Sequence, residues 1–86
     1  MFFHRKYYKF PIYSIRMKIY YSKHAEKRMK ERGIKNADVV SCIEMPHYAI
    51  NKKNIVESHK KIFDKTIKVV WTRKDNFIKV ISVMWK

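Results

Sequence analysis

Ser22-Lys23-His24-Ala25-Glu26-Lys27-Arg28-Met29-Lys30-Glu31-Arg32-Gly33-Ile34 sets the frame for the whole chain. Ser22 carries the short hydroxyl side chain preferred at a helix N-cap, and the spacing predicts a helix to Arg32. Gly33, the only glycine, falls where a helix C-terminus needs a left-handed residue, and Ile34 then comes within reach of Met29. Glu26–Lys30 and Lys27–Glu31 are i,i+4 ion pairs that support the helix.

Upstream, Met17, Ile19 and Tyr21 alternate with Lys18 and Tyr20, the period of a strand. Downstream, Asn36 is placed to cap a second helix with Val39, Val40 and Ile43 on its inner stripe, and Pro46 ends it. From there the period is two. Residues 48–50 predict a short strand, 55–63 a longer one, Asp64-Lys65 a two-residue turn, 66–73 a strand and Asp75-Asn76 a second tight turn. Residues 77–85 form a closing strand, apolar on both faces and therefore expected inside the sheet. The expected fold is α+β, with two N-terminal helices packed on one face of a mainly antiparallel sheet of about three to five strands. Residues 1–16 read as a basic-aromatic arm or extension, and 17–86 as a single domain.

The chain has 86 residues and a formal charge of +14, from 21 Lys+Arg against 7 Asp+Glu. At this length it holds one small core. Hydrophobic residues at 47% exclude disorder. No apolar run reaches the roughly 18 residues of a spanning helix. A single cysteine, Cys42, excludes an internal disulfide framework and reads as a buried thiol. With no signal-peptide pattern, the expected compartment is the cytoplasm. The charge is +4 over 1–16, +3 over 17–46 and +7 over 47–86. Self-repulsion on this scale implies an anionic partner, nucleic acid first, then an anionic membrane surface or an acidic protein.

His24, Arg28 and Arg32 recur at i, i+4 and i+8, so they form one row at the edge of the buried helix face. An imidazole beside two permanent cations suits phosphate binding with proton transfer; the bland reading is a solvated flank. Period two puts Glu57, His59 and Lys61 on one sheet face and Ser58, Lys60 and Ile62 on the other. The first set is either a general acid–base group or a solvated face. Arg73 and Lys74 flank a turn, as phosphate contacts or as edge charges. Trp85 is a base-stacking ring or a core lid. The acids and histidines lack metal-ligand spacing, and no glycine-rich phosphate loop exists, so neither metal nor cofactor is expected.

The segment from Tyr21 to Pro46 (YSKHAEKRMKERGIKNADVVSCIEMP) and the closing IKVVWTRKDNFIKVISVMW together resemble a small bacterial and archaeal domain family of unknown function. Its motif is His-Ala-x-x-Arg-Met-x-x-Arg-Gly-Ile, which falls here on His24, Ala25, Arg28, Met29, Arg32, Gly33 and Ile34. Ser82 stands where that family usually has Thr, and Met45-Pro46 replaces Asn-Pro. The family in turn resembles RelE-like toxins, including BrnT-type ones. That resemblance implies a RelE-like or barnase-like fold and a metal-independent endoribonuclease, the toxin of a toxin–antitoxin pair. In that role His24, Arg28, Glu57 and His59 are the catalytic candidates. Arg32, Lys60, Lys61, Arg73, Lys74 and Trp85 are the nucleic-acid contacts. The implied partners are RNA, including ribosome-bound mRNA, and an acidic antitoxin protein, with no membrane. The alternative is a basic nucleic-acid-binding module without catalysis.

Overall fold

Ser22 is the residue at which the sheet hands the chain to the first helix. The computed structural model describes residues 18–86. The arm expected over 1–16, and Met17, lie outside the described residues. The elements are β1 (Lys18–Tyr21), α1 (Lys23–Arg32), α2 (Asn36–Glu44), β2 (Tyr48–Lys52), β3 (Ile55–Ile62), β4 (Lys65–Arg73) and β5 (Phe77–Trp85).

Ser22 is extended, at φ −65° and ψ 161°. Its Oγ accepts the Ala25 N–H at 3.0 Å and donates to the Ile81 carbonyl at 2.8 Å. Its own N–H donates to the Val80 carbonyl at 2.9 Å. One residue thus caps α1 and ties it to β5. At the other end Gly33 is left-handed, at φ 65°. The Ile34 N–H bonds the Met29 carbonyl at 2.9 Å, closing the helix as a Schellman-type stop. Asn36 is not the cap of α2. Lys35 holds that position without a side-chain bond, and the Asn36 carboxamide oxygen instead accepts the Tyr21 hydroxyl.

The sheet order is β1-β5-β4-β3-β2. All neighbours are antiparallel except β1 and β5, which are parallel. The expected fold class is corrected on two points. A strand precedes both helices, so they are not N-terminal. The sheet is a full five-stranded mixed sheet, with β1 added parallel to β5 at its edge. Period two identifies a strand and its faces but carries no information on its neighbour, and β1 pairs with the far end of the chain. The RelE-like or barnase-like arrangement is set aside with that expectation.

Cross-strand register sorts the side chains. Ile67, Val69 and Trp71 of β4 share a face with Ile78, Val80 and Val83 of β5, and both helices cover it. Ala25, Val39, Cys42 and Ile43 complete the core from the helices. The Trp71 indole N–H donates to the buried Ser58 hydroxyl at 2.9 Å, so this buried polar side chain is satisfied. Among the described residues the other sheet face carries no helix. A register shift between Val70 and Trp71 leaves Ile81 as an extra residue in β5. Ile81 is the residue whose carbonyl Ser22 takes.

The β3–β4 hairpin turns one residue earlier than the sequence suggests. Ile62 pairs with Lys65, so the β3–β4 turn is Phe63-Asp64 and not Asp64-Lys65. Phe63 sits at φ 59° and is 95% exposed. Among the described residues no helix is long and apolar enough to cross a membrane.

Ser22→Ala removes the cap and the link to β5 together. It is expected to lower the unfolding free energy by about 1–2 kcal/mol. Urea denaturation measures this, with Lys30→Ala on the exposed side of α1 as the control that stays within about 0.5 kcal/mol of wild type.

Candidate nucleic-acid interface

β1 covers β5 only as far as Val80. Among the described residues no strand pairs with residues 81–85 of β5 on that edge, and α1 runs beside it. A ten-residue helix is about 15 Å long, and four strand steps span about 14 Å, so the two match. Ser22 fixes one end. At the other, the Trp85 indole N–H donates to the Arg32 carbonyl at 3.2 Å. Between these ties lies a cleft of about 260 Å³, lined by His24, Arg28, Arg32, Val83, Met84 and Trp85. The predicted row of His24, Arg28 and Arg32 is thus brought together with Trp85. Arg28 is half-buried, while His24 and Arg32 are exposed. The Lys65 amine lies 5.5 Å from the Trp85 ring centre, a cation over the ring that walls the cleft.

Glu57 and His59 lie elsewhere, on the open sheet face. A cross-strand row of Tyr48, His59, Lys68 and Met84 crosses that face from β2 to β5. Tyr48 stacks on His59 with ring centres 4.4 Å apart and planes within 8°. Glu57 receives the Lys52 amine at 2.7 Å, and its other oxygen lies 3.8 Å from His59 Nε2 and 3.9 Å from Lys68. The Lys86 amine donates to the Tyr48 hydroxyl at 3.1 Å. The hydrogen bond from Lys52 holds the Glu57 carboxyl below the usual carboxylate range. Burial, and then the nearby Lys86, holds the His59 imidazole below its ordinary value. His59 is 4% exposed, and among the described residues neither ring nitrogen has a hydrogen-bond partner.

The two clusters do not converge. Strands β3 and β5 are two spacings apart, about 10 Å. Lys61 shares the open face with His59. Lys60 is on the helix face, where its amine donates to Ser41 Oγ of α2 at 2.6 Å, so it is spent on packing rather than on a ligand. Arg73 and Lys74 sit at the β4–β5 turn, about 20 Å along the sheet from the Trp85 end. They line a separate groove with Asn51, Asn54 and Thr72. Cys42 is buried, and burial pushes its thiol up to about 12, so it is a neutral filler. Sequence reasoning missed Tyr48, Lys52 and Lys68, whose signal is the cross-strand register with His59 and Glu57. It also missed Met84, which joins the open face to the cleft.

The profile of a domain of unknown function, DUF4258, matches residues 21–85. The chain belongs to the DUF4258 family. The match spans both α1 with its cleft and the open-face cluster. No curated protein and no solved structure matches the chain significantly.

Two kinds of chemistry are available to this DUF4258 domain. The cleft offers an imidazole with two guanidinium forks, which match phosphate oxygens in charge and geometry. The open face offers a neutral imidazole held beside a carboxylate and ringed by amines. Among the described residues no group of three His, Cys, Asp or Glu converges as metal ligands do.

His59 also makes stability depend on pH. Its folded value lies below the unfolded value of 6.5. Below that pH the unfolded chain binds a proton that the folded domain resists, so this contribution is full above about pH 6.5 and is lost as pH falls. Urea midpoints measured from about pH 7.5 to pH 5 are expected to decline more steeply for wild type than for His59→Gln. Parallel declines contradict this role.

Proposed function

We propose that this DUF4258 domain is a metal-independent endoribonuclease, the toxin of a toxin–antitoxin pair, whose reaction centre is the cleft between α1 and the edge of β5. The observation that carries the proposal is that His24, Arg28, Arg32 and Trp85 line one cleft of about 260 Å³. The charge of +14 supports it.

In this reading a phosphodiester of single-stranded RNA, including ribosome-bound mRNA, enters beside Met84. His24 takes the proton of the 2′-hydroxyl, which attacks the adjacent phosphorus. Arg28 and Arg32 stabilise the charge that gathers on the non-bridging oxygens. The imidazolium returns the proton to the departing 5′ oxygen, leaving a 2′,3′-cyclic phosphate. Lys61 and Lys68 carry the RNA backbone across the open face. Glu57 and His59 hold that face in shape rather than touching the reacting atoms, because the His59 nitrogens are enclosed. An acidic antitoxin protein is the complementary partner.

Wild type is expected to cleave RNA equally well with and without EDTA. His24→Ala should lower the rate about 10²–10⁴-fold, the usual loss for a general acid–base group. Arg28→Ala should lower it about 10²–10³-fold. Equal rates in all three proteins contradict the assignment.

A second reading is a basic nucleic-acid-binding module without catalysis. It is favoured by the state of Glu57 and His59, the first occupied by Lys52 and the second shut off from solvent. Salt-sensitive RNA binding with no cleavage by wild type is its signature.

A further inference from the structure

The open sheet face carries a second feature at the end of β5 remote from the cleft. Tyr20 of β1 is 52% exposed. The Phe77 ring meets it edge-on, with centres 5.2 Å apart and planes at 89°. Lys18 pairs with Phe77 and Tyr20 with Lys79, so two aromatic rings and two lysines alternate on one patch. Lys18 and Lys79 are both exposed. An exposed tyrosine in a strand is commonplace on its own. One held by a T-shaped partner, half exposed and between two unburied amines, has the composition of a base-stacking platform.

We propose that Tyr20, supported by Phe77, stacks a nucleobase of single-stranded RNA while Lys18 and Lys79 take the flanking phosphates. This rests on the reading of the domain as RNA-binding and adds a site to it. Charge complementarity selects the occupant. The open face presents Lys18, Lys52, Lys61, Lys68 and Lys79 against the single carboxylate of Glu57. The platform lies on the open face at the level of Lys79, and the cleft runs beside residues 83–85 of β5, with His24 at its near end and Arg32 at its far end. Duplex RNA cannot use the platform, because its bases are already stacked. Tyr20 lies one residue outside the segment matched to DUF4258.

The test is fluorescence anisotropy with a labelled 2′-O-methyl oligoadenylate of about ten nucleotides, which lacks the attacking hydroxyl and so reports binding alone. Tyr20→Ala is expected to weaken binding about tenfold, with Tyr20→Phe within about twofold of wild type. A duplex of the same length should bind both variants as it binds wild type. Lys79→Ala should lower the salt dependence of single-strand binding, by about one released counterion. Tyr20→Ala binding the single strand as wild type does overturns the platform and leaves the reaction centre standing. A change in oligomeric state on light scattering, without a change in RNA binding, assigns the patch to protein contact and also overturns it. Failure of wild type to bind either probe overturns the platform and the RNA reading together. A tenfold loss in Tyr20→Ala alongside undiminished RNA cleavage by His24→Ala supports the platform and removes the cleft as reaction centre.

Discussion

The hydroxyl of Ser22 is the point on which the arrangement turns. It accepts from Ala25 and donates to Ile81, so a single oxygen starts α1 and anchors it to β5. The Ile81 carbonyl is available because β5 carries one residue more than its partner at that point. A bulge re-aims a strand locally, and here it coincides with the place where β1 ends. Trp85 makes the second tie, to the Arg32 carbonyl, at the far end of the same helix. With both ends held, the helix cannot roll, and His24, Arg28 and Arg32 stay turned to the edge of β5. Preorganisation of this kind is what a phosphate site needs, since the charges are in place before the ligand arrives.

The second constraint is the division of labour between the sheet faces. The helix face takes every fully buried aliphatic side chain of β4 and β5. It also takes Lys60, whose amine is fixed by Ser41. The open face keeps its lysines clear of the core, where their mutual repulsion is screened by solvent and answered by Glu57. Glu57 alone meets Lys52, Lys68 and His59. A small domain with this charge concentrates it on a surface that an extended polyanion can follow.

Much of this was legible in the sequence. Ser22, Gly33 and the period of α1 act through local backbone geometry, so the helix and its row of His24, Arg28 and Arg32 were readable directly. Alternation placed Glu57, His59 and Lys61 opposite Lys60 for the same reason. What stayed hidden depends on contacts distant along the chain. The parallel pairing of Lys18 with Phe77 leaves no local trace. Neither does the bulge at Ile81, and without it the wall of Val83, Met84 and Trp85 could not be assigned to the cleft. Asn36 has the chemistry of a cap, but the Tyr21 hydroxyl claims its side chain. Phe63 takes a left-handed turn position that its residue type argues against. The strand register overrides the local preference there.

The central claim is that the cleft beside α1, held by Ser22 and Trp85, receives the RNA phosphate. The most direct measurement is a proton–nitrogen NMR titration of the intact chain with a short 2′-O-methyl RNA strand, following side-chain signals. The account predicts saturable shifts at the Arg28 and Arg32 guanidinium Nε–H groups, the His24 ring and the Trp85 indole N–H. Shifts confined to Lys23, Lys27 and Lys30 on the other flank of α1, with these four signals unmoved, contradict it.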